Sequence, residues 1–150
     1  GIQRRLERVD RGGSIRVVDD YAHNPAKIEA AWEAVATPTN RVLAVWRPHG
    51  YGPLRSMMDG LEEAFARACR RQDRLWLLPV FDAGGTANRT VGSHDLAEKL
   101  RARDVPVALV KDFAALGAEM KAAARAGDTI LIMGARDPQL PAFARAMISD

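Results

Sequence analysis

A single cysteine, Cys69, stands in the 150 residues, so no disulfide can close within the chain and no multi-cysteine metal cluster can form. It falls in the apolar-periodic stretch 61–69 and reads as a small core residue rather than a reactive thiol. Long apolar runs are missing too: none approaches the roughly 20 residues needed to cross a bilayer, and Gly1-Ile2-Gln3-Arg4-Arg5 is not followed by a signal-like stretch. A cytoplasmic protein with no membrane partner is therefore expected. Lysine is scarce, and none of the four follows a glycine. Without Gly-x-x-x-x-Gly-Lys-Ser/Thr there is no backbone cradle for phosphates, and the Gly-x-Gly-x-x-Gly fingerprint is absent after the first strand. The polypeptide alone is not expected to hydrolyse ATP or to hold NAD. Three histidines and scattered carboxylates show no metal-ligand spacing, and no serine sits in a nucleophile elbow. The net charge of +3 is small, and the basic cluster Arg67, Arg70, Arg71, Arg74 reads as a solvated helix end. Basic residues are not interleaved with aromatics, so no nucleic-acid partner is expected.

What is present is ordinary for one globular domain: 47% apolar and 27% charged residues in a length that can bury a core. The chain does not begin with Met, which reads as a piece of a longer polypeptide. Residues 5–9 and 14–18 flank Asp10-Arg11-Gly12-Gly13, whose glycines suit a tight turn, and predict an N-terminal hairpin. Apolar runs predict further strands over 41–46, 74–81, 105–110 and 129–133. Helical spacing predicts helices from Pro25, over 54–69, over 94–103 with Ser93 as cap, over 113–126 and over 139–148. Such alternation predicts a Rossmann-like α/β fold, a doubly wound, mostly parallel sheet with helices on both faces.

The chain is organised around Asp19-Asp20-Tyr21-Ala22-His23-Asn24-Pro25, read as one strand-to-helix turn. It gathers two carboxylates, a phenol, an imidazole and an amide where open α/β sheets bind ligands. Asn24 has the alternative of serving only as a helix cap. The other irregular segments, 47–53, 82–92 and 134–137, also follow strands, so a parallel sheet would bring all four to one rim.

Gly1-Ile2-Gln3-Arg4-Arg5-Leu6-Glu7, the Asp19–Pro25 block, Arg47-Pro48-His49-Gly50-Tyr51 and Gly134-Ala135-Arg136-Asp137 together resemble the C-terminal domain of the Mur ligase family. The resemblance spans essentially the whole chain and is nearest to the UDP-N-acetylmuramate:L-alanine ligases and their relatives. It implies an ATP-dependent acid-amino acid ligase of peptidoglycan precursor synthesis, in which a carboxylate is activated as an acyl phosphate and then attacked by an amine. It also implies N-terminal and central domains that this chain lacks. The central one would carry the phosphate loop and hold most of the ATP and Mg2+, leaving an isolated domain inactive. By position, Arg5 resembles the arginine that reaches the ATP phosphates and Asp20 the aspartate that contacts the ribose. Tyr21, His23, Asn24 and His49 resemble positions lining the incoming L-amino acid, His23 and His49 with a catalytic role. Arg5 as a surface strand residue and either histidine as a structural one stay open as alternatives.

The resemblance has departures. The alanine-adding enzymes usually place arginines after the Pro-His pair, where Gly50 and Pro53 stand here. Either Arg47, Arg55 or Arg89 takes over the substrate carboxylate, or the accepted amine differs. Asn24-Pro25 resembles the folylpolyglutamate and cyanophycin ligases, which leaves an amide ligase of that type as the alternative enzyme. A binding domain that kept the fold without catalysis is the alternative of another class.

Overall fold

The computed structural model describes residues 7–8, 14–82, 90–135 and 137–149. In chain order the elements are β1 (Glu7–Arg8), β2 (Arg16–Asp20), α1 (Pro25–Val35), β3 (Val42–Arg47), α2 (Tyr51–Ala68), β4 (Arg74–Leu77), α3 (Ser93–Arg101), β5 (Val107–Leu109), α4 (Phe113–Ala123), β6 (Thr129–Gly134) and α5 (Gln139–Ser149). The strands form one sheet in the order β1-β2-β6-β3-β4-β5. β1 pairs antiparallel with β2, Glu7 opposite Asp19 and Arg8 opposite Val18, in keeping with the expected hairpin. All the other strand pairs are parallel.

Handedness places the helices. Parallel strands are joined by right-handed crossovers, and the steps from β2 to β3, β4 and β5 all advance toward one edge. They bring α1, α2 and α3 to the same face, where Trp32, Leu61, Phe65 and Leu96 share one core cluster. The return from β5 to β6 runs the other way, so α4 and α5 cover the second face with Leu116, Met120, Leu140 and Ala144. β3 and β6 are covered on both sides, which is why they read as continuous apolar runs rather than as alternation.

The three largest buried side chains are tryptophans, and each indole N–H finds an acceptor, as burial demands. Trp32 Nε1 donates to Asp73 Oδ2 at 3.0 Å, Trp46 Nε1 to the Ala22 carbonyl at 3.3 Å, and Trp76 Nε1 to Glu119 Oε1 at 3.0 Å. Asp73 is buried and also accepts the Val42 and Arg70 N–H groups at 2.8 and 3.0 Å and the Arg70 guanidinium at 3.0 Å. Arg70 donates further to the carbonyls of Thr37 and Asn40. Arg67 pairs with Glu63, and Arg74 lies over the Trp76 ring. Arg67, Arg71 and Arg74 are exposed, as expected of a solvated helix end, whereas Arg70 departs from it: a buried carboxylate and open carbonyls recruit it into the fold.

Several boundaries also differ from expectation. β2 continues through Asp20, because β6 offers a parallel partner as far as the Asp19–Ile132 and Asp20–Met133 pairs, so the turn begins only at Tyr21. α2 starts at Tyr51 rather than at residue 54; Pro53 sits in its first turn, where a missing N–H costs no helical bond. Gly92, not Ser93, caps α3. Asp95 Oδ2 accepts the Gly92 N–H at 2.7 Å, while the Ser93 hydroxyl donates to the Leu78 carbonyl at 2.7 Å. α4 ends at Ala123, whose carbonyl accepts from Arg41 Nη2 at 2.8 Å, and the fifth strand contracts to Val107–Leu109 at the sheet edge.

Two outcomes are expected. Replacing Asp73 with Ala orphans the Trp32 indole, the Val42 amide and the Arg70 guanidinium together, and should lower stability by about 3–5 kcal/mol in urea unfolding; a loss under about 1 kcal/mol would show that the network contributes little. Burial, reinforced by the Asp73 carboxylate and opposed by Arg70, pushes the Cys69 thiol up to about 12. The thiol should therefore resist disulfide-exchange reagents at pH 8 until the chain unfolds. Stability should also fall as pH rises above the unfolded thiol's ordinary range, since the unfolded chain then releases a proton that the folded one keeps. Labelling of the native protein at the denatured rate would contradict this placement.

Candidate active site

All parallel strands end on one rim, and two places on it are predisposed to open. Adjacent strands whose following helices leave on opposite faces have diverging loops. β6, followed by α5 on one face, lies between β2 and β3, followed by α1 and α2 on the other. A cleft of about 410 Å³ occupies this switch point. Tyr21 and His23 enter it after β2, Trp46, Pro48 and His49 from the end of β3, Ala135 after β6, and Pro53, Leu54 and Met57 from α2. A second cavity of about 450 Å³ lies where β4 and β5 end, lined among others by Tyr51, Ser93, His94 and Lys111.

The β2 side of the cleft is set by local hydrogen bonds. Trp46 Nε1 holds the Ala22 carbonyl, which ties the turn to β3. His23 Nδ1 lies 3.2 Å from the Tyr21 carbonyl, and the two rings meet edge-on with centroids 5.7 Å apart. A carbonyl only accepts, so Nδ1 is the donor of this bond, which in the neutral ring leaves the lone pair on Nε2. Asn24 is committed elsewhere: its Oδ1 accepts the Lys27 N–H at 2.9 Å and caps α1, with Pro25 in the first turn. Asp20, half-buried, ends β2 immediately before Tyr21. Its carboxylate can accept two hydroxyl hydrogens, the chemistry that a ribose diol presents.

The β3 side is organised by Phe81. Its N–H donates to the Pro48 carbonyl at 2.8 Å and its carbonyl accepts the Gly50 N–H at 3.0 Å, so the segment after β4 is strapped across His49. The two rings stack with centroids 5.3 Å apart. Gly50, at φ +88°, makes the reversal into α2.

Of the arginines considered for a substrate carboxylate, Arg47 is already engaged. It donates to Asp137 Oδ2 at 3.1 Å and to the Pro79 carbonyl at 3.2 Å, and it packs between the Phe81 and Phe113 rings. Arg55 lies exposed on the first turn of α2 and is not among the residues lining the cleft. Arg5 and Arg89 lie outside the described residues. The structure thus brings Tyr21, His23 and His49 together with Asp20 alongside, and gives Asn24 a capping role. Phe81 and Asp137 shape the rim without having been singled out from the sequence. Asp137 was legible only as part of a strand-end segment, and Phe81 as the end of an apolar run. Among the described residues no three His, Cys, Asp or Glu side chains are grouped to hold a metal ion, and no helix is long and apolar enough to cross a membrane.

Gly134 joins the cleft to the Arg47 contact. At φ +153° it pairs with Arg47 across the ladder, and a Cβ there would stand 2.5 Å from Leu140 Cδ1 and 3.3 Å from the Arg47 carbonyl. Gly134→Ala should cost about 1–3 kcal/mol in chemical denaturation. An unchanged unfolding midpoint would show that Leu140 and β3 yield freely.

Comparison with known proteins places these features in a wider set. The model of the family described as Mur ligase, glutamate ligase domain, matches residues 4–136. The chain is 34% identical over 142 residues to a UDP-N-acetylmuramate--L-alanine ligase of Mycolicibacterium gilvum, a match that takes in 91% of this chain and 28% of that protein. It therefore spans a little over a quarter of the length of that relative. Among solved structures, a UDP-N-acetylmuramate-alanine ligase from Thermotoga maritima superposes with a TM-score of 0.71 at 19% identity, over 99% of this chain and 30% of that one. A bifunctional folylpolyglutamate synthase/dihydrofolate synthase from Yersinia pestis, complexed with AMPPNP and a Mn ion, gives 0.57 at 16% identity over 99% and 31%. Both structural likenesses show the shared fold.

Proposed function

This chain belongs to the Mur ligase family as its glutamate ligase domain, and from that premise we propose that it is the substrate-closing domain of an ATP-dependent UDP-N-acetylmuramate:L-amino acid ligase of peptidoglycan precursor synthesis. The observation that carries the reading is the meeting of Tyr21, His23 and His49 in one cleft at the topological switch point, with Asp20 at its β2 side. Similarity to alanine-adding relatives over 91% of the chain supports the substrate class.

Each group has a task that its chemistry suits. Asp20 accepts hydroxyl hydrogens of the nucleotide ribose, and Arg5 offers its guanidinium donors to phosphate oxygens. The nucleotide, when bound with Mg2+ mainly by the other domains, supplies the phosphoryl group that activates the acceptor carboxylate as an acyl phosphate. His23, its Nδ1 proton committed to the Tyr21 carbonyl, presents Nε2 to take a proton from the incoming ammonium group. His49 and the Tyr21 hydroxyl orient that amine, and the apolar wall of Trp46, Pro48 and Met57 keeps water from it.

A second reading concerns the amine. Gly50 and Pro53 bring no guanidinium to the cleft and Arg47 is engaged elsewhere, which favours an amine other than alanine or a folate- or polymer-type acceptor.

In the protein that carries this domain, Asp20→Ala and Arg5→Ala should each lower ligation and ATP turnover at least tenfold, an effect of about 1.4 kcal/mol or more on the barrier. Wild-type rates in both would remove the assignment. Amine-dependent phosphate release, measured with UDP-N-acetylmuramate against folate and polymer acceptors, separates the two readings. The isolated domain should release no phosphate from ATP.

A further inference from the structure

Phe81 touches more than the histidine it covers. Its ring stacks on His49 with 22° between the planes, and the Arg47 guanidinium sits over the same ring with Cζ 5.3 Å from its centroid. Arg47 ends β3, and His49 follows two residues on, in a parallel bridge to Phe81. The main-chain strap across His49 fixes the backbones of His49 and Phe81, yet it leaves their side-chain torsions to be decided by packing.

Arg47 is equipped to decide them. Nε donates to the Pro79 carbonyl at 3.2 Å, while Nη1 donates to Asp137 Oδ2 at 3.1 Å and to Gln139 Oε1 at 3.3 Å. A planar fork with acceptors along two edges has one orientation. Its main anchor is itself fixed: Asp137 is 1% exposed and its Oδ1 accepts the Gln139 N–H at 3.0 Å. The guanidinium also lies over the Phe113 ring, with Cζ 5.5 Å from its centroid. His49 contrasts with its neighbour in the cleft. His23 is oriented by a hydrogen bond, whereas among the described residues the ring contact with Phe81 is what orients His49.

The geometry points to Arg47, anchored on Asp137, as a positioning residue: it sets the Phe81 ring, and the Phe81 ring sets the His49 imidazole in the cleft. The inference rests on the reading of His49 as a group that meets the incoming amine. It makes the pair Arg47–Asp137 a determinant of the reaction although neither side chain is placed to touch a substrate.

The test is a double-mutant cycle in the full protein, read alongside a spectrum. Arg47→Gln should lower kcat about tenfold with little change in the KM for ATP, and should cost less than about twofold when His49 is already Gln. Losses that multiply independently would mean that Arg47 only staples loops together, and would overturn the proposal. With carbon-13-labelled histidine, the His49 ring protons, shielded by the stacked Phe81 ring, should shift toward free-histidine positions in Arg47→Gln while those of His23 stay; unmoved His49 signals also overturn it. The spectrum does not depend on activity. If His49→Gln ligates at the wild-type rate while the His49 signals still move, the positioning contact stands and the role given to His49 falls. Should Arg47→Gln fail to fold, Asp137→Asn removes the charge that anchors Arg47, keeps both rings and carries the same two readouts.

Discussion

Asp73 is a buried carboxylate at the end of the sheet opposite the cleft, and the placement of nearly everything else follows from how it is satisfied. It receives the Trp32 indole of α1, the first amide of β3 and both the amide and the guanidinium of Arg70 at the turn into β4. An ionised carboxylate cannot be buried without such donors, so α1, β3 and β4 must converge on it. Once β3 starts there, its course of about 3.3 Å per residue along β6 and β4 settles where Arg47, Pro48 and His49 emerge.

The two ends of the sheet treat charge differently. At the strand starts, Asp73 with Arg70 and Asp128 with Arg41 are paired and hydrogen-bonded, with Arg41 held above its usual range mainly by its bond to Asp128. Those groups brace the fold and leave little for a ligand. At the strand ends the Arg47–Asp137 ion pair does similar bracing, while Tyr21, His23 and His49 line an open cleft. A rigid base and an open rim are what a domain needs if it is to bring a few polar groups to a reaction assembled with other domains.

In the cleft a phenol and two imidazoles are set in a wall of Trp46, Pro48 and Met57, and the Arg47 guanidinium is turned into the Asp137 contact. Arg47 thus serves the architecture, while Tyr21, His23 and His49 line the cleft.

Much of this was legible in the order of residues. Near-continuous apolar runs at 41–46 and 129–133 announced strands, helical spacing between them announced crossovers, and every irregular segment fell after a strand. A parallel α/β sheet with a polar rim followed, and Tyr21, His23 and His49 stood out through their resemblance to positions of the Mur ligase C-terminal domain. Three things were decided only by the fold. Asp19 and Asp20 belong to β2 rather than to its turn, because β6, far away in sequence, supplies the ladder that extends it. Arg70 and Arg47, indistinguishable in sequence from solvated arginines, became braces because Asp73 and Asp137 are buried beside them. Periodicity reports which side of an element is buried, but which donor meets which acceptor across 90 residues of chain depends on packing that no local pattern encodes.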